Sequence, residues 1–197
     1  MKLATHRSGR ALAIAALAAT TGLVIAGCSS ADPGSSSSDE SFTIGIVEQQ
    51  LANPFFANLQ QSAVAAAEEA GLDVMTAESQ SAGDSATQVA AIENMIAQGV
   101  KGIVLDPANA SALVDIVQRA RDAGILVVTV NTSLEPADAA DASFETDNLA
   151  GGALMGEWAK ASLGDAEPQV AMLDYDLSDK TAGARHDGFL EGFGLTD

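Results

Sequence analysis

Cysteine, histidine and basic side chains are scarce in this chain of 197 residues. One Cys and two His exclude an internal disulfide and argue against a structural zinc site or a multi-histidine metal site. Only 9 Lys and Arg stand against 27 Asp and Glu, for a formal net charge of -18. Because phosphate groups are bound by clustered Lys and Arg, nucleic acid is a poor partner. We expect neither a metal nor a cofactor.

The few basic residues concentrate at the start of the chain. Three of them fall within the first ten residues, and the first acidic residue is Asp32. An apolar run follows at 11–25, interrupted only by two Thr and one Gly. A basic start and an apolar run too short for a comfortable membrane span are typical of a secretory signal. We interpret residues 1–27 as that signal peptide.

The end of the apolar run resembles a bacterial lipobox. Ile25, Ala26, Gly27 and Cys28 supply a branched aliphatic residue, two small residues and a cysteine in the required order. The resemblance implies that Cys28 is lipidated and becomes the mature N-terminus. The polar, Ser-rich stretch over 28–41 cannot bury enough apolar surface to order itself, and we expect it to be a disordered tether. The folded part would then work outside the cytoplasmic membrane, lipid-anchored to its surface.

Beyond the tether, short apolar runs alternate with amphipathic segments. Strands are predicted at 42–47, 72–77, 100–105 and 125–130, and helices from Asn53 to Gly71, at 84–98 and at 111–123. After a loop that contains Pro136, the pattern predicts a helix at 150–163, a strand at 169–173 and a helix at 181–193. Repeated strand–helix–strand units with short links indicate an α/β fold whose mostly parallel, doubly wound sheet is covered on both faces.

Ligands of such sheets bind beyond the carboxyl ends of the strands. The residues at those positions are polar or capping: 48–53, Ser79, Gln80, Asp106 and Asn131. Strand ends are commonly polar in any case, so the periodicity alone leaves open whether a site exists there.

Four motifs in order resemble one family. They are Ala52-Asn53-Pro54-Phe55-Phe56, Asp106-Pro107, Asp147-Asn148 and Ala184-Arg185-His186-Asp187-Gly188-Phe189. Together with the lipobox they are similar to the sugar-binding lipoproteins and periplasmic proteins of ABC importers, of the ribose/galactose type. The resemblance implies a three-layer fold of the type I periplasmic binding proteins, with two α/β lobes that close over a monosaccharide. It matches 42–146 to a nearly complete first lobe and 147–197 to the start of a second, so we expect a truncated or partial chain.

The resemblance also implies a partial binding site. Asn53 and Arg185 match residues that hydrogen-bond sugar hydroxyls, and Phe55 and Phe56 match aromatic residues that sandwich the sugar ring. Asn53 is also a plausible helix cap, and one of the two Phe could belong to the core.

Other residues match the family less well. Asn131-Thr132 stands where ribose-type members carry Asp followed by Arg, and the loss of both charges weakens the expectation of ribose itself. Asp106 and Gln80 are further cleft-side candidates, and Asp179 and Lys180, just before the last helix, are weaker ones.

The resemblance implies a non-enzymatic, monomeric binding protein that delivers a neutral monosaccharide or polyol to an ABC permease and its ATPase. A sensor that presents sugar to a membrane receptor or kinase is an alternative that the residues leave open. Asp174 and Asp176 after an apolar run resemble the nucleophile motif of Asp-dependent phosphatases, but too little chain follows to supply the companion groups. A sugar-responsive repressor would need a DNA-binding N-terminus in place of the signal.

Overall fold

The structure is a computed structural model that describes residues 42–164, 169–177 and 179–195. These residues fall in one compact unit that spans 39–197. The predicted signal peptide, Cys28 and all of the tether up to residue 41 lie outside the described residues. Among the helices of the described part, none is long and apolar enough to cross a membrane.

Five parallel strands form one sheet in the order β2-β1-β3-β4-β5. The strands are β1 (Thr43–Glu48), β2 (Asp73–Glu78), β3 (Gly102–Leu105), β4 (Leu126–Val130) and β5 (Ala142–Phe144). In the register, Val47 lies beside Leu105, and Leu105 lies beside Thr129. The carboxyl ends of β1, β3 and β4 are therefore level with one another, and the predicted parallel α/β sheet is confirmed.

Five α-helices connect and follow the strands. They are α1 (Pro54–Glu69), α2 (Ser85–Gln98), α3 (Val114–Asp122), α4 (Asn148–Leu163) and α5 (Lys180–Phe193), with a short 3-10 turn at Ala137–Ala139. Side chains cap four of the helices, as α1, α2, α4 and α5 begin after Asn53, Asp84, Asp147 and Asp179. Gly99 ends α2 with a φ of 73°, a left-handed conformation that glycine adopts without steric cost.

The main core lies between the sheet and the helices α2 and α3. Val47, Ile103 and Val127 from the strands pack with Ile92 and Val117 from these helices, and all five are almost fully buried. Helix α1 contacts β1 and β2. On the face of β4 and β5 opposite Val127, Leu126 and Phe144 remain more than half exposed.

The prediction and the structure differ at three elements. Strand β5 was not predicted, because its three residues are too few to show a period and are all exposed. Helix α3 begins three residues later than predicted, since Asn109 Oδ1 accepts from the Ser111 and Ala112 amides and holds that segment as a turn.

The predicted strand at 169–173 is wrong, since these residues form no strand in the described part of the chain. A strand requires a neighbour whose backbone completes its hydrogen bonds, and no described strand lies beside this segment. Leu173 is fully exposed there.

Helices α4 and α5 pack side by side through glycines. A Cβ on Gly152 would lie 2.3 Å from the Arg185 carbonyl oxygen, and a Cβ on Gly188 would lie 2.1 Å from that of Leu149. Because Leu149 faces Gly188 and Ala153 faces Gly192, the two helices run parallel. This close approach sets the position of α5, which carries Arg185.

We expect Gly152→Ala to destabilise the helix pair by ~1–3 kcal/mol, because the added methyl group must push the two backbones apart. Gly151→Ala is the matched control, since a Cβ there meets nothing within 4 Å and should stabilise the exposed helix by up to ~1 kcal/mol. Trp158, the single Trp of the chain, lies on α4. Urea unfolding followed by its fluorescence measures the stability of both variants. Equal unfolding midpoints for the two variants would contradict the close packing.

Candidate ligand-binding site

Three polar residues meet at the carboxyl edge of the sheet. Gln49, Asp106 and Asn131 each directly follow a strand, namely β1, β3 and β4. Because these strands are adjacent and parallel with level ends, the three side chains become neighbours although they are far apart in sequence. The fold thus assembles a polar floor at the position where α/β sheets bind ligands.

The carboxylate of Asp106 is the centre of this floor. It is completely buried, and it accepts hydrogen bonds from Gln49 Nε2 at 3.1 Å and from Asn131 Nδ2 at 3.1 Å. Burial raises the pKa of Asp106 to about 7; hydrogen bonds from Gln49, Asn131 and Thr132 oppose that rise, and the charge of Asp179 adds to it. The carboxyl group can therefore titrate close to neutral pH.

Asn131 reaches Asp106 through an unusual backbone conformation. Its φ of 61° lies in the left-handed region, which Asn tolerates better than most residues. The Asn131 amide donates to the Phe144 carbonyl at 2.9 Å, which joins it to the end of β5. The position of its side chain is therefore fixed by the backbone on either side.

The start of α5 forms the opposite wall. Asp179 caps the helix by accepting from the Thr181 and Ala182 amides. The Lys180 ammonium lies 3.7 Å from Glu145 Oε1 and also donates to Ser133 Oγ, and these contacts tie the helix to the segments around β4 and β5. Helix α5 is thereby held over the carboxyl edge of the sheet.

A cavity of about 380 Å³ lies between the sheet edge and α5. Its lining residues are Gln49, Asn53, Phe55, Phe56, Asn131, Tyr175, Asp179, Thr181, Ala182 and Arg185. Six of the candidates from the sequence are among them: Asn53, Phe55, Phe56, Asn131, Arg185 and the weaker candidate Asp179. The structure brings these six together around one space.

The aromatic side of the cavity comes from the first turn of α1. The rings of Phe55 and Phe56 lie 5.4 Å apart at an interplanar angle of 75°, and Phe55 is half exposed. Asn53 Oδ1 accepts from the Phe55 amide at 3.0 Å, which caps the helix and leaves the Asn53 amide nitrogen as a donor. The side chain of Asn53 can thus cap the helix and line the cavity at once.

Arg185 lies on α5 at the other side of the cavity. Its Nε donates to Asn148 Oδ1 at 2.8 Å, and the Asn148 amide nitrogen donates to the Thr146 carbonyl. Asn148 is buried and therefore fixes the guanidinium plane. The two terminal nitrogens of Arg185 retain four N–H donors.

Three predicted residues lie elsewhere. Gln80 is exposed, its backbone amide donates to Asp84 Oδ2, and it does not line the cavity. Asp106 is buried within the floor, where it accepts from Gln49 and Asn131, and it does not itself line the cavity. Lys180 lines an adjoining polar cavity of about 220 Å³, which shares Gln49, Tyr175 and Asp179 with the main one.

Gln49 and Tyr175 line both cavities and were not singled out from the sequence. Gln49 directly follows the apolar residues of β1, and that position was the available signal. Tyr175 lies in a segment without regular secondary structure, and its sequence carries no comparable signal.

Glu48, at the end of β1, is buried next to the floor. It is fully buried, and neither of its carboxyl oxygens has a hydrogen-bond partner at normal distance and angle among the residues that the structure describes. Burial, with a smaller contribution from the charge of Asp106, raises the pKa of Glu48 to about 8, against a weaker lowering by the Gln49 backbone amide. The protein therefore carries Glu48 largely protonated at neutral pH.

This burial predicts a pH-dependent stability. Because the pKa of Glu48 rises from 4.5 to about 8 on folding, the folded protein binds more protons than the unfolded chain between these values. Its free energy of unfolding should fall as the pH rises from 5 to 9, by about 4 kcal/mol through Glu48 and by about 3 kcal/mol more through Asp106, whose pKa rises to about 7.

Glu48→Met should lose more than half of that pH dependence and leave the remainder, which comes from Asp106. Urea unfolding at pH 5, 7 and 9 is the measurement, with Glu69→Gln on the exposed end of α1 as the control. A Glu48→Met protein with the same pH profile as the unchanged chain would show that Glu48 is ionised in the folded state.

The resemblance to an Asp-dependent phosphatase gains no support from the geometry. Asp174 Oδ2 lies 3.0 Å from His186 Nδ1, in a pair that links the segment after α4 to α5. Within the residues that the structure describes, no three His, Cys, Asp or Glu side chains are grouped so that they could hold a metal ion.

Sequence comparison finds relatives among sugar-import proteins. The chain is 31 % identical over 134 residues to the ribose import binding protein of Bacillus subtilis, covering 68 % of this chain and 43 % of the relative. It is 33 % identical over 119 residues to the D-ribose/D-allose-binding protein of Pseudomonas aeruginosa, covering 58 % of this chain and 37 % of that protein.

Solved structures with the same fold are similar over the folded part. A solute-binding protein of Burkholderia multivorans superposes with a TM-score of 0.71 at 29 % identity, over 78 % of this chain and 56 % of that one. A solute-binding protein of Actinobacillus succinogenes with bound D-allose superposes with a TM-score of 0.69 at 26 % identity, over 78 % and 55 %.

The chain spans about half the length of the curated relatives that it matches. These relatives are non-enzymatic binding proteins, which confirms the prediction that the chain is not an enzyme. Residues 44–195 match the family described as the periplasmic binding protein domain. The chain belongs to that family, and the predicted resemblance to its sugar-binding members is confirmed.

Proposed function

We propose that this protein captures a neutral monosaccharide or polyol outside the cytoplasmic membrane, as the substrate-binding component of an ABC importer. The observation that carries the proposal is the cavity at the carboxyl edge of the sheet, where aromatic rings and hydrogen-bonding groups face one another. The relatives support it, since they are named for ribose or for ribose and allose.

The chemistry of the cavity suits a sugar. The C–H face of a sugar ring stacks well on aromatic rings, and Phe55 and Phe56 supply these on one side. Arg185 supplies several N–H donors in a planar fork on the other side. The formal net charge of -18 disfavours anionic ligands and agrees with a neutral one.

We propose that the two sides of the cavity belong to two lobes. Residues 42–146 would form the first lobe, and the segment from 147 onward, with α4 and α5, would begin the second. Phe55 and Phe56 then come from the first lobe and Arg185 from the second. Closure of the lobes would remove the ligand from water, and this strengthens each hydrogen bond to it.

The binding proposal predicts the effects of two substitutions. Isothermal titration of the full chain with D-ribose, D-allose, D-glucose, myo-inositol and glycerol should show binding of at least one. Arg185→Ala should weaken that binding ~10- to 100-fold, because hydrogen bonds to a charged group contribute ~1.5–3 kcal/mol. Phe56→Ala should weaken it about 10-fold through lost stacking.

Arg119→Ala is the matched control for Arg185. Arg119 pairs with Glu93 in an exposed ion pair and does not line the cavity, so its loss should leave binding unchanged. The proposal is wrong if no sugar or polyol in this set binds. It is also wrong if Arg119→Ala and Arg185→Ala weaken binding equally.

We further propose that Cys28 carries lipid and anchors the protein to the membrane, where it delivers its ligand to the permease and ATPase of the importer. The lipobox and the Ser-rich stretch after it support the anchor. One acyl chain binds membranes only marginally, and a lipoprotein N-terminus therefore needs at least two.

The lipid anchor predicts how the N-terminus is processed and modified. Cys28→Ala should remain unprocessed and carry no acyl chains, whereas Ser29→Ala should behave as the unchanged protein. Mass spectrometry of the N-terminal peptide from the membrane fraction measures this. An unmodified Cys28 thiol in mature, membrane-bound protein would rule out the anchor.

A further inference from the structure

The side-chain amide of Gln49 has a fixed orientation. Its Nε2 donates to Asp106 Oδ1 at 3.1 Å and to the Pro107 carbonyl at 3.2 Å. An amide nitrogen carries two hydrogens, and both are used by these bonds. Gln49 is nearly buried and lines the cavity, so its oxygen is the group that remains to meet a ligand.

The side-chain amide of Asn131 is oriented in the same way. Its Nδ2 lies 3.1 and 3.3 Å from the two carboxylate oxygens of Asp106 and 3.3 Å from Thr132 Oγ1. Its hydrogens therefore point away from the cavity, and its oxygen is left as an acceptor. Two amide oxygens, from the strand ends on either side of β3, thus face the same space.

Hydrogen-bond donors remain free on the α1 and α5 sides of the cavity. The Asn53 oxygen is used by the Phe55 amide, and its nitrogen remains as a donor. Arg185 uses Nε on Asn148 and keeps its terminal N–H groups. The cavity therefore has an accepting wall, Gln49 and Asn131, and hydrogen-bond donors on two further sides, Asn53 at the start of α1 and Arg185 on α5.

We infer that Asp106 is a positioning residue that holds the amide oxygens of Gln49 and Asn131 toward the ligand, so that this wall selects ligands with hydroxyl donors at that end. The inference deepens the proposed function and rests on it for the identity of the ligand class. A hydroxyl group satisfies such a wall, whereas an ether oxygen, a fluorine atom or a carboxylate leaves buried oxygens unpaired or repels them.

The orientation depends on the ionisation of Asp106. An ionised carboxylate only accepts, so an amide must turn its nitrogen toward it, whereas a protonated carboxyl can also donate to an amide oxygen. The titratable groups around it are Glu48 from β1 and Asp179 from the start of α5. The neutral groups are Thr132 beyond β4 and Gln88 of α2, whose Nε2 donates to the Asp106 carbonyl.

The cations that line the two cavities, Arg185 and Lys180, have other partners. Arg185 donates through Nε to Asn148, and Lys180 contacts Glu145 and Ser133. Hydrogen bonds from neutral groups, the two amides and Thr132, therefore stabilise the Asp106 carboxylate, and burial keeps it close to its titration midpoint at neutral pH.

The positioning role is tested without any ligand by NMR of the full chain labelled with 15N in its Asn and Gln side chains. The side-chain amide signals of Gln49 and Asn131, assigned with Gln49→Met and Asn131→Ser, should move together between pH 5 and 9 with one common midpoint. Gln98 is the internal control, because its amide donates to the Asn94 oxygen and not to a carboxylate. In Asp106→Asn the common titration should vanish.

A pair of amide signals that does not titrate, or that titrates equally in Asp106→Asn, overturns the inference. If Asp106→Asn does not fold, the wild-type titration against Gln98 still decides it. The absence of a common midpoint for the two amides would then show that they do not share the Asp106 carboxylate.

The selectivity is tested with D-ribose and D-allose and their monodeoxy and monofluoro derivatives, by isothermal titration at pH 8. At least one hydroxyl should be indispensable, with a loss of at least 10-fold when fluorine replaces it, and Asp106→Asn should reduce that discrimination. Equal affinity for every fluoro derivative would overturn the selectivity. If neither parent sugar binds, the proposed ligand class fails, and the NMR titration alone judges the role of Asp106.

Discussion

The hydrogen bonds to the buried carboxylate of Asp106 join three strand ends into one floor. Gln49 and Asn131 reach this group only because β1, β3 and β4 are adjacent, parallel and level at their carboxyl ends. An antiparallel neighbour would put its own carboxyl end at the opposite edge of the sheet. The order of the strands therefore decides which side chains can form the floor of the cavity, and the polarity of that floor follows from a single carboxylate.

The other side of the cavity depends on how α5 is held. Gly152 and Gly188 let α4 and α5 approach closely, and Lys180 ties the first turn of α5 to Glu145. The cavity is thus built from a stable sheet edge and from a helix that reaches it through few contacts.

Much of this fold follows from local sequence signals. The apolar runs of β1 to β4, the cap at Asn53 and the glycine at Gly99 predict the order of strands and helices. Strand β5 escapes prediction because it forms through a partner: its neighbour β4 and the Asp141 side chain, which accepts from the Val127 amide, hold it in place. The predicted strand at 169–173 fails for the converse reason, since it has the right residues but no neighbouring strand in the part of the chain that the structure describes.

The site was predictable only in part. Asn53, Phe55, Phe56 and Arg185 belong to recognisable motifs, and the structure brings them around one cavity. Gln49 belongs to no motif, and its role depends on a carboxylate 57 positions further along the chain.

The central claim is that a sugar ring lies against Phe55 and Phe56 within the cavity. Isotope-filtered NOE spectra of the full chain, labelled with 13C in its six Phe and mixed with unlabelled D-ribose or D-allose, test it directly. The account predicts NOEs from the sugar C–H protons to the rings of Phe55 and Phe56, which disappear in Phe56→Ala for that ring alone. NOEs confined to other phenylalanines, such as Phe144 or Phe189, would place the sugar elsewhere and contradict the account.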